Sequence, residues 1–259
     1  MKADINGTHI GYEVLGNTGL PLVLIHGFGL DRNIWRNMLF EYMPDQYVIL
    51  PDVRGHGESD APNGPYTMSQ LADDLAGLLH ILNVDKVIVC GHSMGGYISL
   101  AFAERYQQQL AGLGLITSRA EADSETKRES RYDLVERIRE KGAVELAESL
   151  APHLSKDETI IRETYERIKQ TSPLGLIGAS QAMAERPDRR DLLPKISVPA
   201  LVVAGAEDQI VDLEDAREMS SLFPNAEFFA IPNAGHMPMW ENPLVLAKGL
   251  LDLIARASH

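Results

Sequence analysis

Short apolar, β-branched runs alternate with longer amphipathic stretches along most of this chain. Residues 22–25, 47–50, 86–90, 112–116, 200–203 and 227–231 are mostly near-continuously apolar, as parallel strands are when helices cover both faces of their sheet. Between them, residues 67–82 place Leu71, Leu75, Leu78, Leu79 and Leu82 on one helical stripe and turn Asp73 and Asp74 outward. Residues 213–222 and 243–257 behave similarly, the latter with Pro243 near its start, where a proline suits a helix. At the N-terminus, segments near 2–6 and 9–15 flank Asn6-Gly7, a pair that favours a two-residue hairpin turn. Strands alternating with helices predict an α/β sheet with an antiparallel hairpin at its edge.

One stretch breaks the rhythm. Residues 118–186 carry no convincing strand and turn to Glu, Lys, Arg, Ala and Leu, with helical spacing over 133–141, 143–150, 158–170 and 174–185. Pro152, Pro173 and Pro187 punctuate it. A helical insertion that begins and ends inside the strand series predicts a lid over one end of the sheet. The expected division is a core of residues 1–117 and 187–259 and a lid of 118–186.

Composition narrows the partners. The 259 residues are 44% hydrophobic and 24% charged, with a net charge of −13. That balance argues against nucleic acid and against an anionic membrane surface, since both draw on clustered Lys and Arg. No run approaches the ~18 apolar residues of a spanning helix. The opening residues lack the apolar stretch of a signal peptide. Cys90 is the only cysteine and sits in an apolar run, so no intramolecular disulfide is expected and a reducing cytoplasm fits best. The eight histidines are scattered without a metal-ligand spacing, and no phosphate-binding glycine pattern occurs in the right context. No cofactor or metal is expected.

The strongest chemical signal is Gly91-His92-Ser93-Met94-Gly95-Gly96, straight after one apolar run and straight before a helical pattern. A G-x-S-x-G sequence placed between strand and helix is the context a nucleophile elbow requires. The chain must turn sharply there, leaving Ser93 at the tip in a strained conformation. A Cβ on Gly91 or Gly95 would collide with the turn or a neighbouring strand. The helix that follows aims its N-terminal N–H groups where negative charge develops.

With that elbow, the chain resembles the α/β-hydrolase superfamily over essentially its full length, through five motifs in the family's order. His26-Gly27-Phe28-Gly29 resembles the loop that supplies one oxyanion N–H, here from Phe28; the second would come from Met94. Asp52-Val53-Arg54-Gly55-His56-Gly57-Glu58-Ser59 resembles a D-x-R-G-x-G-x-S loop behind the active site, tight at its glycines and braced by its charges. The elbow is the third. Residues 204–211 resemble the loop of the catalytic acid, with Asp208 the best match, Glu207 facing away and Asp212 capping the next helix. Pro232-Asn233-Ala234-Gly235-His236 resembles the loop of the catalytic histidine. Some relatives draw the acid from the loop after the strand ending near Ile116, which leaves Asp123 as the alternative.

The resemblance implies an α/β-hydrolase fold: a mostly parallel eight-stranded sheet flanked by helices, with the lid inserted after the sixth strand. It also implies a triad of Ser93, His236 and Asp208, acting on a small-molecule ester or lactone. A serine hydroxyl is a poor nucleophile until a histidine takes its proton, and a buried carboxylate holds that histidine in the needed tautomer. Serine at the elbow, where relatives that open epoxides or displace halide carry Asp, favours acyl transfer to water. Residues 117–124 resemble small bacterial carboxylesterases and 3-oxoadipate enol-lactonase-like members. An enol-lactone with two carboxylates would call for a basic pocket, and Arg119 is the only obvious candidate, so a short-chain carboxylesterase ranks first. Lactonase, C–C bond hydrolase and perhydrolase activities follow, and a ligand-receptor role comes last. Arg131, Asp133, Glu136, Arg137, Arg139 and Glu140 read as solvated lid faces rather than a docking surface. Trp35, Leu174, Ile177, Met183, Met237 and Trp240 are expected in the substrate pocket along with Phe28 and Met94. A homodimer through the lid is compatible with the sequence.

Overall fold

The computed structural model describes residues 1–258. Its first turn follows from the local sequence: Asn6 (φ 50°) and Gly7 (φ 72°) both take the left-handed conformations that a tight hairpin demands. They join β1 (Lys2–Ile5) to β2 (Thr8–Leu15). β2 pairs antiparallel with β4 (Gln46–Pro51), and β4 runs parallel to β3 (Thr18–Ile25). β5 (Val87–His92), β6 (Leu110–Ile116), β7 (Ala200–Gly205) and β8 (Ala226–Ile231) complete an eight-stranded sheet. Its order is β1-β2-β4-β3-β5-β6-β7-β8, and every pairing from β4 onward is parallel.

The near-continuous apolar runs are explained by burial on both faces. Leu22, Val23, Leu24 and all of Val87 to Cys90 have no exposed surface. α1 (Arg36–Tyr42), α2 (Met68–Ile81), α3 (Met94–Arg105), α8 (Leu213–Ser221), α9 (Pro238–Glu241) and α10 (Pro243–Ala257) surround the sheet. α3 and α10 both lie against β3 and β6, while α2 packs on α3 and α1 on α10. Asp212 caps α8, accepting from the N–H groups of Glu214 and Asp215. No described helix is long and apolar enough to cross a membrane.

Between β6 and β7 the chain leaves the sheet for α4 (Glu125–Lys141), α5 (Ala143–Leu154), α6 (Glu158–Gln170) and α7 (Pro173–Ala184). α4 packs on α7 and α5 on α6. The insertion is anchored by a backbone-to-backbone approach: a Cβ on Gly175 of α7 would lie 1.9 Å from the carbonyl oxygen of Gly55, which itself has φ 82°.

Three local expectations change. α4 starts eight residues before position 133, with Ser124 accepting from the Lys127 N–H as its cap; its first two turns are almost wholly polar, so no apolar period marks them. α5 runs through Pro152 to Leu154, because a proline in the last turn removes only one backbone bond. Asp74 faces inward, not outward: it is buried and takes two 2.7 Å bonds from the Arg54 guanidinium, while neighbouring Asp73 reaches Arg105 of α3. The pair braces the loop after β4 against α2. Breaking one partner of such a buried pair typically costs about 3–5 kcal/mol.

Candidate active site

The carboxyl ends of β3, β5, β6, β7 and β8 converge, and open α/β sheets bind ligands outside these strand ends. At the end of β5 the chain reverses through Ser93, whose backbone sits at φ 53° and ψ −115°. A residue with a Cβ held there stores strain of about 1–3 kcal/mol. The surroundings enforce it. A Cβ on Gly91 would lie 2.0 Å from the Gly95 carbonyl oxygen, one on Gly95 would lie 2.5 Å from the Ile25 oxygen, and one on Gly96 would meet Ser118 Oγ at 2.2 Å. The elbow is thus wedged between β3 and the loop after β6. The Ser93 N–H donates to the Ile116 oxygen, and Ser118 Oγ donates to the Ser93 oxygen.

Asp208 and His236 arrive on the loops after β7 and β8. Asp208 Oδ2 stands 2.8 Å from His236 Nδ1, and its Oδ1 accepts from the N–H groups of Ile210 and Val211. Burial pushes the Asp208 carboxyl up, but the imidazole and those donors outweigh it, and its pKa falls below the ordinary 3.8. Asp208 is therefore ionised at neutral pH and accepts a hydrogen bond from His236 Nδ1–H, the tautomer that carries its lone pair on Nε2. The alternative acid, Asp123, is elsewhere engaged: it pairs with Arg131 and with Arg186. Glu207 turns away to Lys156.

The His236 loop is held from three directions. His92 Nε2 lies 2.8 Å from the His236 carbonyl oxygen, to which Thr117 Oγ1 also donates. The His236 N–H donates to the Leu154 oxygen at the end of α5. Glu241, which the sequence reading passed over, accepts from the N–H groups of Gly235 and Met237 with one oxygen and from Ser155 of the lid with the other. Burial raises its pKa in spite of these donors.

The loop after β3 brings a second set of backbone donors. The Phe28 N–H and the Met94 N–H, the latter in the first turn of α3, find no acceptor among the described residues. His26 fixes this loop: its Nδ1 lies 2.8 Å from the Gly27 oxygen, and its Nε2 accepts from the Val53 N–H. Gly27 is needed because a Cβ would meet His92 Nδ1 at 2.6 Å. His26, His56 and His92 are all buried and stay neutral. Burial, with a neighbouring imidazole, lowers His56 and His92 to about 3, and burial likewise lowers His26. His56 packs tilted against the His26 ring and edge-on to Phe28, and its ring's only hydrogen bond among the described residues is from Nδ1 with the Arg54 oxygen.

Ser93 and His236 open together on a cavity of about 230 Å³. Phe28, Leu30, Tyr97, Leu150, Leu154, Met183 and Ile210 form much of its wall, and Lys127, Arg131 and His153 supply polar groups from the lid. Of the eight side chains expected in the pocket, Phe28 and Met183 line it and the other six lie off it. Trp35 is fully buried edge-on to His92, and Met237 is fully buried behind the His236 loop. Leu174 is exposed on α7 (45%), and Ile177 is partly buried in lid packing. Met94 is buried in the core, and Trp240 donates its indole N–H to the Ile34 oxygen. Arg119 does not enter either: its guanidinium donates to the Ile210 oxygen. Arg131, read from sequence as a solvated face, is 15% exposed and lines the cavity, because the turn of α4 that carries it points down rather than out. Among the described residues no group of three or more His, Cys, Asp or Glu side chains is set to hold a metal ion.

Comparison with known proteins agrees with this architecture. A thermophilic esterase from Thermogutta terrifontis, with malate bound, superposes with a TM-score of 0.95 at 37% identity, covering 100% of this chain and 99% of that one. The enol-lactonase from Burkholderia xenovorans LB400 superposes with a TM-score of 0.90 at 26% identity, covering 98% of this chain and 100% of its own. By sequence, 3-oxoadipate enol-lactonase 2 of Acinetobacter baylyi is 30% identical over 219 residues, 80% of this chain and 79% of that protein. The family model for the alpha/beta hydrolase fold matches residues 21–243. With the sheet order, the elbow and these relatives in agreement, the chain belongs to the α/β-hydrolase family.

Proposed function

We propose that the protein hydrolyses small carboxylic esters through an acyl-enzyme on Ser93, with His236 as general base and acid and Asp208 as the residue that orients it. The observation that carries this reading is the pairing of an ionised Asp208 with His236 Nδ1 beside a strained Ser93 on one cavity. His236 Nε2 takes the Ser93 proton as Oγ attacks the ester carbonyl. The unpartnered N–H groups of Phe28 and Met94 receive the oxyanion; each such donor is worth about 3–4 kcal/mol in the transition state. Protonated His236 then gives its proton to the departing alcohol. Water, deprotonated in turn by His236, attacks the acyl-enzyme; His236 then returns the proton to the departing Ser93 Oγ, and the carboxylic acid is released. The cavity, below the ~300–1,000 Å³ of pockets for drug-sized ligands, favours a short acyl chain.

The enol-lactonase relatives support a second reading in which the leaving alcohol is tethered to the acyl group as a lactone. The steps are the same. Hydrolysis of p-nitrophenyl esters from acetate to palmitate, alongside γ- and δ-lactones, tests both. Ser93-dependent turnover that peaks at short chains supports the esterase, and preference for the lactones supports the second reading. Full turnover by Ser93→Ala would overturn both.

A further inference from the structure

Four cations crowd one flank of the Ser93 cavity in a protein whose net charge is −13. Lys127 and Arg131, one turn apart on α4, line the cavity itself. Behind them, Arg119 donates to the carbonyl oxygen of Ile210 and Arg186 to that of Met183, and both acceptor residues are part of the cavity wall. One carboxylate answers this cluster. Asp123, its side chain wholly buried, pairs with Nε of Arg131 and, at 2.8 Å, with Nη1 of Arg186.

That leaves positive charge in excess. Among the described residues the Lys127 ammonium makes no ion pair and no hydrogen bond, and the two outer nitrogens of Arg131 have no partner. Burial, followed by the guanidiniums of Arg119 and Arg131, holds the Lys127 pKa below its ordinary value. A lysine whose role was structural would sit on a carboxylate or reach into water. Here the ammonium stands over the cavity with repelling neighbours and no anion of its own.

We propose that this wall is a carboxylate subsite: the substrate is an ester or lactone that carries a free carboxylate a few bonds from the scissile carbonyl, gripped by Lys127 and the outer nitrogens of Arg131. The inference rests on Ser93 being the nucleophile. Asp123 acts as the positioning residue, since by holding Nε it turns the planar Arg131 fork toward the cavity, where a carboxylate fits it in two-pronged fashion. Discrimination follows from the same arrangement. A neutral substrate leaves the cations desolvated and unpaired, whereas an anionic one completes them.

The test compares kcat/KM for the p-nitrophenyl monoester of glutarate with that for p-nitrophenyl valerate. It also measures binding of free glutarate to Ser93→Ala by calorimetry. Lys127 is the residue to vary, because removing Arg131 would take one of its two guanidinium partners from buried Asp123. The expected result is a wild-type preference for the anionic ester that Lys127→Gln lowers roughly tenfold or more and Lys127→Arg largely restores, as loss of one charge-assisted contact predicts. Glutarate affinity should fall in parallel. A wild-type preference for valerate, with glutarate binding indifferent to Lys127, would overturn the subsite while Ser93-dependent turnover kept the hydrolase reading intact. Lys127-dependent glutarate binding without turnover of either ester would support the subsite and overturn the nucleophile.

Discussion

Gly91 has a carbonyl oxygen 2.0 Å from where a Cβ would be; Lys127 stands in the polar first turn of α4, where nothing in the backbone demands a lysine. The two residues belong to regions that place side chains around one cavity by different means. In the core loops, position is imposed by contact between backbones. Ser93 is held at a positive φ because β3, β6 and three glycines leave the chain no other path. In the lid, apart from the backbone approach of Gly175 to Gly55 that anchors α7, the side chains facing the cavity are placed by ion pairs such as Arg131–Asp123–Arg186, with Lys156–Glu207 tying the lid to the loop after β7. On the proposed function, the chemistry falls to the region fixed by backbone contact and the choice of substrate to the region placed by side chains.

The comparison is most exposed at its rigid side. Asp208→Asn should leave the fold in place and lower kcat by about 10⁴, the loss seen in related triads when the histidine adopts the wrong tautomer; a near-normal rate in steady-state assays would move the acid elsewhere. Next come paired glycine substitutions. Gly91→Ala forces main-chain movement at the elbow and should cost about 3 kcal/mol or more together with activity. Gly142→Ala, between α4 and α5 at φ 77° with open space for a Cβ, should cost only about 1–3 kcal/mol of backbone strain and keep activity. Urea melts and ester turnover on both variants separate the regions, and equal losses of activity would break the distinction.

Acid should also act on the core first. His56 and His92 hold pKa values of about 3 in the fold against 6.5 unfolded. Between those limits the unfolded chain binds more protons, so stability present at neutral pH is lost as pH falls. Each histidine contributes a slope of about 1.4 kcal/mol per pH unit. Denaturant melts at about pH 7, 6 and 5 should show the decline, and a flat profile would contradict neutral buried imidazoles. The smallest of these effects is expected where the two regions are stitched together. Glu241→Gln weakens the clamp on the His236 loop and its link to Ser155, and should lower kcat by about tenfold with little change in KM.

The same division explains what could be read from the sequence. The strands are legible as apolar runs, because the sheet buries them; the Asn6-Gly7 turn, the elbow at Ser93 and the loops that carry Asp208 and His236 are legible because steric necessity leaves a residue type at a fixed offset, glycine above all. The elements that went unread lack such a marker. The first two turns of α4 have no apolar period, and Asp74 looks like a surface aspartate until Arg54 arrives from the loop after β4. Lys127, Arg131 and Glu241 carry no local signature, because their role depends on which turn of a helix faces a cavity built by residues far along the chain. Trp35, Leu174, Ile177 and Met237 have the size and apolarity of a pocket wall, properties that core packing requires equally.

The central claim is that Ser93 carries the acyl group. The most direct test is to quench the protein within its first turnovers of a short p-nitrophenyl ester and determine the mass and position of the adduct by intact-protein and peptide mass spectrometry. The account predicts one acyl group on the peptide containing Ser93, accumulating with the burst of p-nitrophenol and absent from Ser93→Ala. An adduct on another residue, or undiminished ester turnover by Ser93→Ala, would contradict it.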